Sequence, residues 1–146
     1  MKFDLVLRGG TLVSHEKTWV ADIAIAGGRI QQIGDVASAG AAREINIEGK
    51  TVLPGLIDTQ VHFREPGLEH KEDLESGSRA AVMGGVTTFF EMPNTNPVTT
   101  TEEALADKLA RARGRSWSNY AFFVGAGPDN VEDLARLEQL PGTPGI

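Results

Sequence analysis

The sequence contains no cysteine, and this absence excludes several kinds of site. Without thiolates there can be no disulfide framework, no cysteine ligand for zinc and no cysteine nucleophile. Any metal ion would have to be held by nitrogen and oxygen ligands. A chain without disulfides also fits a reducing compartment, so we expect a cytoplasmic protein.

Long apolar runs and clusters of positive charge are missing as well. No stretch approaches the roughly 18 residues of a membrane span, and the first ten residues are too interrupted for a signal peptide. The formal net charge is −6 and no Lys/Arg face offsets it. We therefore expect neither a membrane nor a nucleic acid as a partner. With 40% hydrophobic residues among 146, the chain can bury a core.

Strand periodicity punctuated by glycine marks the first part of the chain. Gly9-Gly10 and Gly27-Gly28 follow short alternating runs, as the turns of tight hairpins do, and Gly49 repeats the pattern. The Ala- and Gly-rich residues 36–42 are expected to form a loop. Residues 1–52 are thus predicted to form a small antiparallel, β-sandwich-like domain that is incomplete by itself.

From residue 53 onward, predicted strands alternate with predicted helices. The strands are expected at residues 52–63, 86–91 and 120–124, and the helices at 72–83, 100–114 and 131–140, the second with a capping box at Thr100. Three such units indicate an α/β fold with a parallel sheet, either open or closed as a barrel. In both cases the chemistry belongs at the carboxyl ends of the strands. An eight-unit barrel needs about 250 residues, so residues 53–146 would supply about three units.

The end of the first parallel strand carries candidate metal ligands. Alternate residues of a strand share one face, so Asp58, Gln60 and His62 are predicted to project together. A His-x-His pair there would suit zinc, but Gln60 offers only a weak, neutral amide oxygen. The alternatives are a hydrogen-bonded His62 in a polar pocket and a Gln60 that contacts the ligands without touching a metal. His62 and Gln60 are kept as candidate metal ligands.

Two further residues are candidates for binding a substrate. Arg64 presents a planar fork that matches a carboxylate, although a surface ion pair with Glu65 would also explain it. Asn94 follows the next strand, where turn chemistry alone could account for an asparagine. Neighbouring strands lie about 4.8 Å apart, so Arg64 and Asn94 could reach one small molecule. A dinucleotide-binding loop at residues 125–130 is disfavoured, because Asn130 stands where the third glycine should be.

These residues lie in segments that resemble a dihydroorotase of the cyclic amidohydrolase superfamily. The segments are Gly-Leu-Ile-Asp at residues 55–58, Val-His-Phe-Arg-Glu-Pro-Gly at 61–67, His-Lys-Glu-Asp-Leu-Glu-Ser-Gly-Ser-Arg-Ala-Ala at 70–81, Gly-Gly-Val-Thr-Thr at 84–88 and Met-Pro-Asn-Thr-Asn-Pro at 92–97. Hydantoinases and allantoinases share this framework but usually do not contain the second and the last segment together. They are therefore ranked behind dihydroorotases as candidates. The resemblance implies the start of a (β/α)8 TIM-like barrel preceded by a small β-domain.

The resemblance also implies an activity and its site. It implies zinc-dependent, reversible hydrolysis of 5,6-dihydroorotate to N-carbamoyl-L-aspartate in pyrimidine biosynthesis, with one or two zinc ions. By position, His62 matches the second histidine of the metal motif and Gln60 stands in place of the first. Arg64 and Asn94 match the residues that hold the substrate carboxylate. The expected assembly is a homo-oligomer, namely a dimer.

In the family that is resembled, the other metal ligands, a carboxylated lysine and the proton-handling aspartate come from later strands. We therefore expect this chain to be an amino-terminal portion that contains no catalytic residue and is inactive alone. The rival hypothesis is a non-catalytic scaffold that binds a transcarbamoylase or a second copy of itself. Gln60 favours that rival, whereas Arg64 and Asn94 argue against it, since a scaffold needs no carboxylate clamp.

Overall fold

The computed structural model describes residues 2–36 and 41–146, and the chain divides into two compact units, Met1–Pro54 and Gly55–Ile146. The first is built of strands and the second alternates strands with helices, so the fold is mixed α/β. Most of the loop predicted at residues 36–42 lies outside the described residues. Within the described ranges, none of the helices has the length and apolar character that a membrane crossing requires.

The first unit is a five-stranded sheet. Its strands are β1 (Leu5–Val13), β2 (Thr18–Ala26), β3 (Arg29–Gly34), β4 (Glu44–Asn46) and β5 (Thr51–Val52). The order is β3-β2-β1-β4, and β5 also pairs with β1. β1, β2 and β3 pair antiparallel as predicted, but β4 and β5 run parallel to β1. The prediction of a wholly antiparallel sheet is therefore wrong. A tight hairpin imposes antiparallel pairing only on the strands that it joins, and neither β4 nor β5 is joined to β1 by one.

The glycine pairs of this unit have different roles. Gly27-Gly28 forms the predicted two-residue turn between β2 and β3, with φ angles of 59° and 70° that favour glycine. Gly9-Gly10 is not a turn: it lies inside β1, where the register shifts as in a β-bulge. Gly49 is not a hairpin turn either, because the strands on both sides of it pair with β1 in the same direction.

The second unit contains a parallel sheet with helical connections. Its elements are β6 (Leu56–Val61), α1 (Leu74–Met83), β7 (Val86–Glu91), α2 (Glu102–Ala112), β8 (Asn119–Phe122), a 3-10 turn (Val131–Asp133) and α3 (Leu134–Leu137). The sheet order is β6-β7-β8 and both pairings are parallel. The predicted alternation is thus observed, and it brings the carboxyl ends of the three strands to one edge of the sheet.

Side chains cap the amino-terminal ends of the first two helices. Asp73 caps α1 by accepting from the backbone N–H of Ser76 at 2.7 Å, and Ser76 completes the capping box. α2 is capped by Thr101, one residue later than predicted, through a bond from the Ala104 N–H at 3.2 Å. The prediction of a capping box at Thr100 is wrong because the neighbouring threonine fills the cap position.

The third helix is much shorter than the predicted range of residues 131–140. The Asn130 side chain provides no cap. Its Oδ1 accepts from the Gly127 N–H at 2.8 Å, and its Nδ2 donates to the carbonyls of Thr100 and Gly125 at 2.8 and 2.9 Å. The side chain therefore closes the loop before α3 upon itself.

The core of the second unit lies between the sheet and its helices. Phe89 and Phe122 are fully buried there, and the Phe63 ring meets Phe89 edge-on with centroids 4.7 Å apart. Leu74 of α1 and Leu105 of α2 close the core from the helix side. Because Phe63 is part of this core, the residues directly after β6 are held against β7.

Candidate functional site

The candidate site lies where β6 and β7 end side by side. The Met92 N–H donates to the Val61 carbonyl at 2.8 Å, which extends the pairing one residue beyond β7. Between Asp58 and Val61 the register of β6 against β7 is irregular, and the Gln60 N–H bonds to Asp58 Oδ1 at 3.0 Å. Such a bulge redirects side chains, so regular strand alternation does not by itself place Gln60 on the same face as His62.

His62 and Asn94 are brought into direct contact. The distance from His62 Nδ1 to Asn94 Oδ1 is 2.7 Å, and both residues are exposed. Because a carbonyl oxygen can only accept, Nδ1 carries the proton in this arrangement and the lone pair of Nε2 remains free. A hydrogen bond of this kind orients an imidazole for use by its other nitrogen. Asn94, predicted as a substrate ligand, therefore also acts on the predicted metal ligand.

Arg64 lies in the loop after β6 with an unusual backbone. Its φ angle is 71°, in the left-handed region that non-glycine residues rarely adopt. The Leu68 N–H donates to the Arg64 carbonyl at 3.0 Å and closes the turn. Among the residues that the structure describes, the Arg64 guanidinium has no acidic partner. It is therefore available for an anion.

Glu65 does not form the ion pair with Arg64 that was considered. Its buried carboxylate meets Arg115 through two bonds, Nη1 to Oε1 at 2.8 Å and Nη2 to Oε2 at 3.2 Å. It also accepts from the Leu74 N–H at 3.0 Å, and Arg111 lies 3.7 Å away. Donating its two bonds to the Glu65 carboxylate raises the pKa of Arg115. Sequence reasoning missed this anchor because the two partners are 50 residues apart.

The loops after β6 and β7 pack against each other. The Asn96 N–H donates to the Pro66 carbonyl at 2.9 Å. Gly67, with a φ angle of 88°, faces the Asn96 backbone so closely that a Cβ atom would collide with the Asn96 carbonyl. Arg64 and Asn94 thus belong to two loops that share contacts.

A buried ion pair lies behind these loops, on the helix side of the sheet. Lys108 Nζ is 3.1 Å from Glu91 Oε2, and both side chains are fully shielded from solvent. Burial raises the pKa of the Glu91 carboxyl and lowers the pKa of the Lys108 ammonium, while the attraction between the two opposes both changes. Neither residue was singled out from the sequence, because a lysine on an amphipathic helix and a glutamate at a strand end are ordinary features.

The described residues do not complete a metal site. No group of three or more His, Cys, Asp or Glu side chains that could hold an ion occurs among them. Catalytic zinc generally takes three protein ligands, whereas the site offers the Nε2 atom of His62 and the exposed amide of Gln60. These residues can contribute to a zinc site but do not form one.

Comparison with known proteins supports a family relationship. A family model described as dihydro-orotase-like matches residues 49–141. An allantoinase of Solibacter usitatus (strain Ellin6076) is 43% identical over 137 residues, which is 93% of this chain and 30% of that protein. An allantoinase of Rubrobacter xylanophilus (strain DSM 9941 / JCM 11954 / NBRC 16129 / PRD-1) is 43% identical over 141 residues, which is 96% of this chain and 30% of that protein.

A solved structure gives a matching result. The L-hydantoinase (dihydropyrimidinase) from Arthrobacter aurescens superimposes with a TM-score of 0.87 and 34% identity, covering 92% of this chain and 30% of that one. The chain thus spans about a third of the length of these relatives. Their names correct the ranking made from the motifs, which placed allantoinases and hydantoinases behind dihydroorotases. Because the family model matches more than half of the chain, the chain belongs to the dihydro-orotase-like family of the cyclic amidohydrolase superfamily.

Proposed function

We propose that this chain provides part of the active site of a hydrolase that opens cyclic amide rings. The observation that carries the proposal is the hydrogen-bonded pair of His62 and Asn94 at two adjacent strand ends. Arg64, which has no acidic partner among the described residues, follows His62 in the same loop. Carboxyl ends of parallel strands are where α/β enzymes place their chemistry. Membership of the dihydro-orotase-like family supports the same reaction class.

We propose further that the unit Gly55–Ile146 supplies about three βα units of a (β/α)8 barrel, and that Met1–Pro54 is a small accompanying β-domain. The parallel order β6-β7-β8 and the likeness to the Arthrobacter aurescens L-hydantoinase support this assignment. In such a barrel, residues from several strand ends would surround the substrate, and this chain would contribute those after β6, β7 and β8.

The proposed reaction adds one water molecule to the ring. The water oxygen bonds to the carbonyl carbon of the ring amide, the carbon–nitrogen bond breaks, and a proton from the water is transferred to the departing nitrogen. In this scheme Arg64 holds an anionic or carbonyl group of the ring by charge-assisted hydrogen bonds. Asn94 keeps the His62 ring in one orientation. Zinc dependence remains a prediction, with His62 Nε2 as one ligand; no step is assigned to the ion, because the described residues do not complete its site.

Two classes of ring compete as substrates. The allantoinase and hydantoinase names of the relatives favour a ring of the allantoin or hydantoin type. The Arg64 guanidinium has no acidic partner in the described part of the chain, and this favours dihydroorotate, whose carboxylate would need a cationic partner. We place the allantoin or hydantoin type first and keep dihydroorotate as the second candidate.

The test is a ring-opening assay on the protein expressed from its intact gene. Allantoin, a substituted hydantoin and L-dihydroorotate are compared before chelation, after chelation and after zinc is added back. We expect turnover of at least one ring, lost on chelation and restored by zinc. Replacing Arg64 by glutamine should raise KM for dihydroorotate about tenfold or more and leave an uncarboxylated ring nearly unchanged. A folded, zinc-supplemented protein that opens none of the rings contradicts the proposal.

The same protein can be used to test whether Gln60, which replaces the first histidine of the metal motif, contacts the metal. A Gln60→His variant should bind zinc more tightly, because an imidazole replaces a weak amide donor. Bound zinc is measured per chain after dialysis against a graded series of chelator concentrations, with Gln60→Asn as the control that keeps an amide. Equal zinc retention in the two variants would mean that this position does not contact the metal.

Absence of turnover in the ring assay would favour the scaffold hypothesis. The sequence feature that supports this hypothesis is Gln60, which stands in place of a metal-binding histidine. Mixing the protein with a transcarbamoylase and measuring the mass of any complex by sedimentation then tests that partner directly. The same experiment on the protein alone tests the proposed homodimer. No contact described in the structure bears on either assembly.

A further inference from the structure

The Glu91–Lys108 pair has no evident purpose as a source of stability. Both side chains are fully buried, and their charges meet at 3.1 Å. Replacing a buried ion pair by apolar side chains of similar volume is often neutral or stabilising, because the charges no longer have to be desolvated. Glu91 Oε1 also has no hydrogen-bond partner among the described residues. A carboxylate that is only half satisfied is a costly way to fill a core.

The position of the pair suggests a different role. Lys108 Nζ lies 3.4 Å from the Met92 carbonyl as well as 3.1 Å from Glu91 Oε2. The charged pair therefore touches Met92, the residue that follows β7. The backbone of Met92 leads to Asn94 two residues later.

Among the described residues, the side chains of His62 and Asn94 make one hydrogen bond, and it is the bond between them. His62 and Asn94 are exposed, and their side chains bond to each other at 2.7 Å. Their geometry consequently depends on where the backbone places them. The Met92 N–H already binds the Val61 carbonyl at 2.8 Å, and Lys108 holds the carbonyl of the same Met92 residue from the helix side. Each of the two peptide groups on either side of the Met92 Cα atom, two residues before Asn94, thus makes one hydrogen bond that restricts its orientation.

We propose that Glu91 and Lys108 are positioning residues that keep the Asn94 amide against His62 Nδ1, and thereby keep the Nε2 atom of His62 free to act in the site. The consequence for turnover rests on the proposed function. The consequence for the histidine ring does not, because the proton on Nδ1 can be observed in the absence of any substrate. Loss of the pair should leave the core packed but release the loop after β7.

The experiment compares three variants of the 146-residue chain. Lys108→Met removes the ammonium and keeps the length of the side chain. The double variant Glu91→Leu/Lys108→Met replaces the whole pair by apolar groups, so it should fold even where the single variant does not. Leu137→Ala is the matched control, since it removes a buried side chain from the same core without touching the pair or the two loops.

The readout is the protonation pattern of the His62 ring by proton–nitrogen NMR, together with Tm. His15→Gln and His70→Gln variants assign the signals of the three histidines. We expect a proton on Nδ1 of His62 in the unmodified chain and in Leu137→Ala. In the double variant, and in Lys108→Met if it folds, that signal should give way to a mixture of tautomers, although Tm of the double variant should equal or exceed that of the unmodified chain.

An unchanged Nδ1 signal in the folded double variant overturns the proposal, as does a proton on Nε2 in the unmodified chain. In the protein expressed from its intact gene, the double variant should lower kcat about tenfold to a hundredfold with a smaller change in KM, because misplacing a reacting group affects the chemical step. If the unmodified protein opens no ring, the proposed function fails, but the NMR comparison still decides the positioning role.

Discussion

The two units of this protein use charged side chains in different ways. In Met1–Pro54, Arg8 joins strands by pairing with Asp22 and Glu44, each at 2.7 Å, and the network remains partly open to solvent. In Gly55–Ile146, the carboxylates of Glu65 and Glu91 are buried; Lys108 reaches Glu91 from α2, and Arg115 reaches Glu65 from the turn just after α2. The first arrangement links elements of a sheet, whereas the second anchors the loops that carry the candidate site.

The difference has an energetic meaning. Exposed ion pairs gain little because water and salt screen them, and side chains lose freedom when they pair. Breaking a buried pair costs more, since a charge is left without compensation. The same kind of substitution should therefore be felt much more strongly in the loops of the second unit than in the sheet of the first. The following variants test this contrast from the largest expected effect to the smallest.

The largest effect is expected for Gly67→Ala. The substitution places a side chain at a φ angle of 88° and drives its Cβ into the Asn96 carbonyl. Left-handed strain of about 1–2 kcal/mol and overpacking of about 1–3 kcal/mol should together lower the free energy of unfolding by about 3 kcal/mol. Urea unfolding followed by Trp117 fluorescence in a Trp19→Phe background reports on the second unit.

Gly85→Ala is the control for the backbone strain in this prediction. Gly85 has a φ angle of 90°, but a Cβ atom there would meet no atom within 4 Å. Gly85→Ala should lower the free energy of unfolding by about 1–2 kcal/mol, from backbone strain alone. Equal losses at the two positions would show that the loops after β6 and β7 are not locked together.

The second variant, Glu65→Gln, removes the charge that anchors the Arg64 loop. The two bonds to Arg115 and the bond from the Leu74 N–H are weakened or lost. Because Arg115 is partly exposed and can be rehydrated, we expect a loss of about 2–3 kcal/mol, below the full cost of a buried unpaired ion. The measurement is again urea unfolding of the second unit.

Glu102→Gln provides the matched comparison for Glu65. Glu102 pairs with Arg136 at 2.5 Å, but both side chains are more than half exposed. We expect a change below about 1 kcal/mol. If Glu65→Gln lowers the free energy of unfolding no more than Glu102→Gln does, burial does not make the Glu65 pair more important for stability than an exposed pair.

The smallest effect is expected for Asp22→Asn in the first unit, and it should depend on pH. The bond from Arg8, and then the bond from the Gly9 N–H, hold the pKa of Asp22 below its ordinary value. An acid with a lowered folded-state pKa stabilises the fold above its unfolded-state pKa of about 4, and this contribution disappears as pH falls through the folded-state value.

We therefore expect Asp22→Asn to cost about 1 kcal/mol near neutral pH and progressively less in acid. Trp19 fluorescence in a Trp117→Phe background follows the unfolding of the first unit. A constant difference between the variant and the parent across this pH range would show that the Asp22 carboxylate does not interact more favourably in the folded state than in the unfolded state.

Local patterns in the sequence predicted a substantial part of this structure. Alternation of apolar residues indicated β2 and β3, β-branched and aromatic residues indicated β7, and the change of period after residue 53 indicated the parallel sheet with helical connections. The candidate residues after β6 and β7 were found by the same logic, since parallel strands end at one edge. These features follow from periodicity, which depends on residues close in sequence.

Other features could not be predicted from local patterns. A glycine pair suits a turn and a bulge equally well, so Gly27-Gly28 and Gly9-Gly10 look alike until the pairing of the strands is known. Asn130 resembles a helix cap, but its side chain bonds to carbonyls of its own loop and of Thr100. The motifs also placed dihydroorotases ahead of the allantoinases and hydantoinases that the comparisons support.

The sequence by itself determined the class of secondary structure, the two candidate loops and the family, because these depend on residue types at fixed local spacing. The tertiary structure decided the partners of the charged groups. It joined Asn94 to His62, gave Glu65 to Arg115 instead of Arg64, and buried Lys108 against Glu91. These partners lie 32, 50 and 17 residues apart, and only the packing of helices against a sheet determines which distant side chains meet.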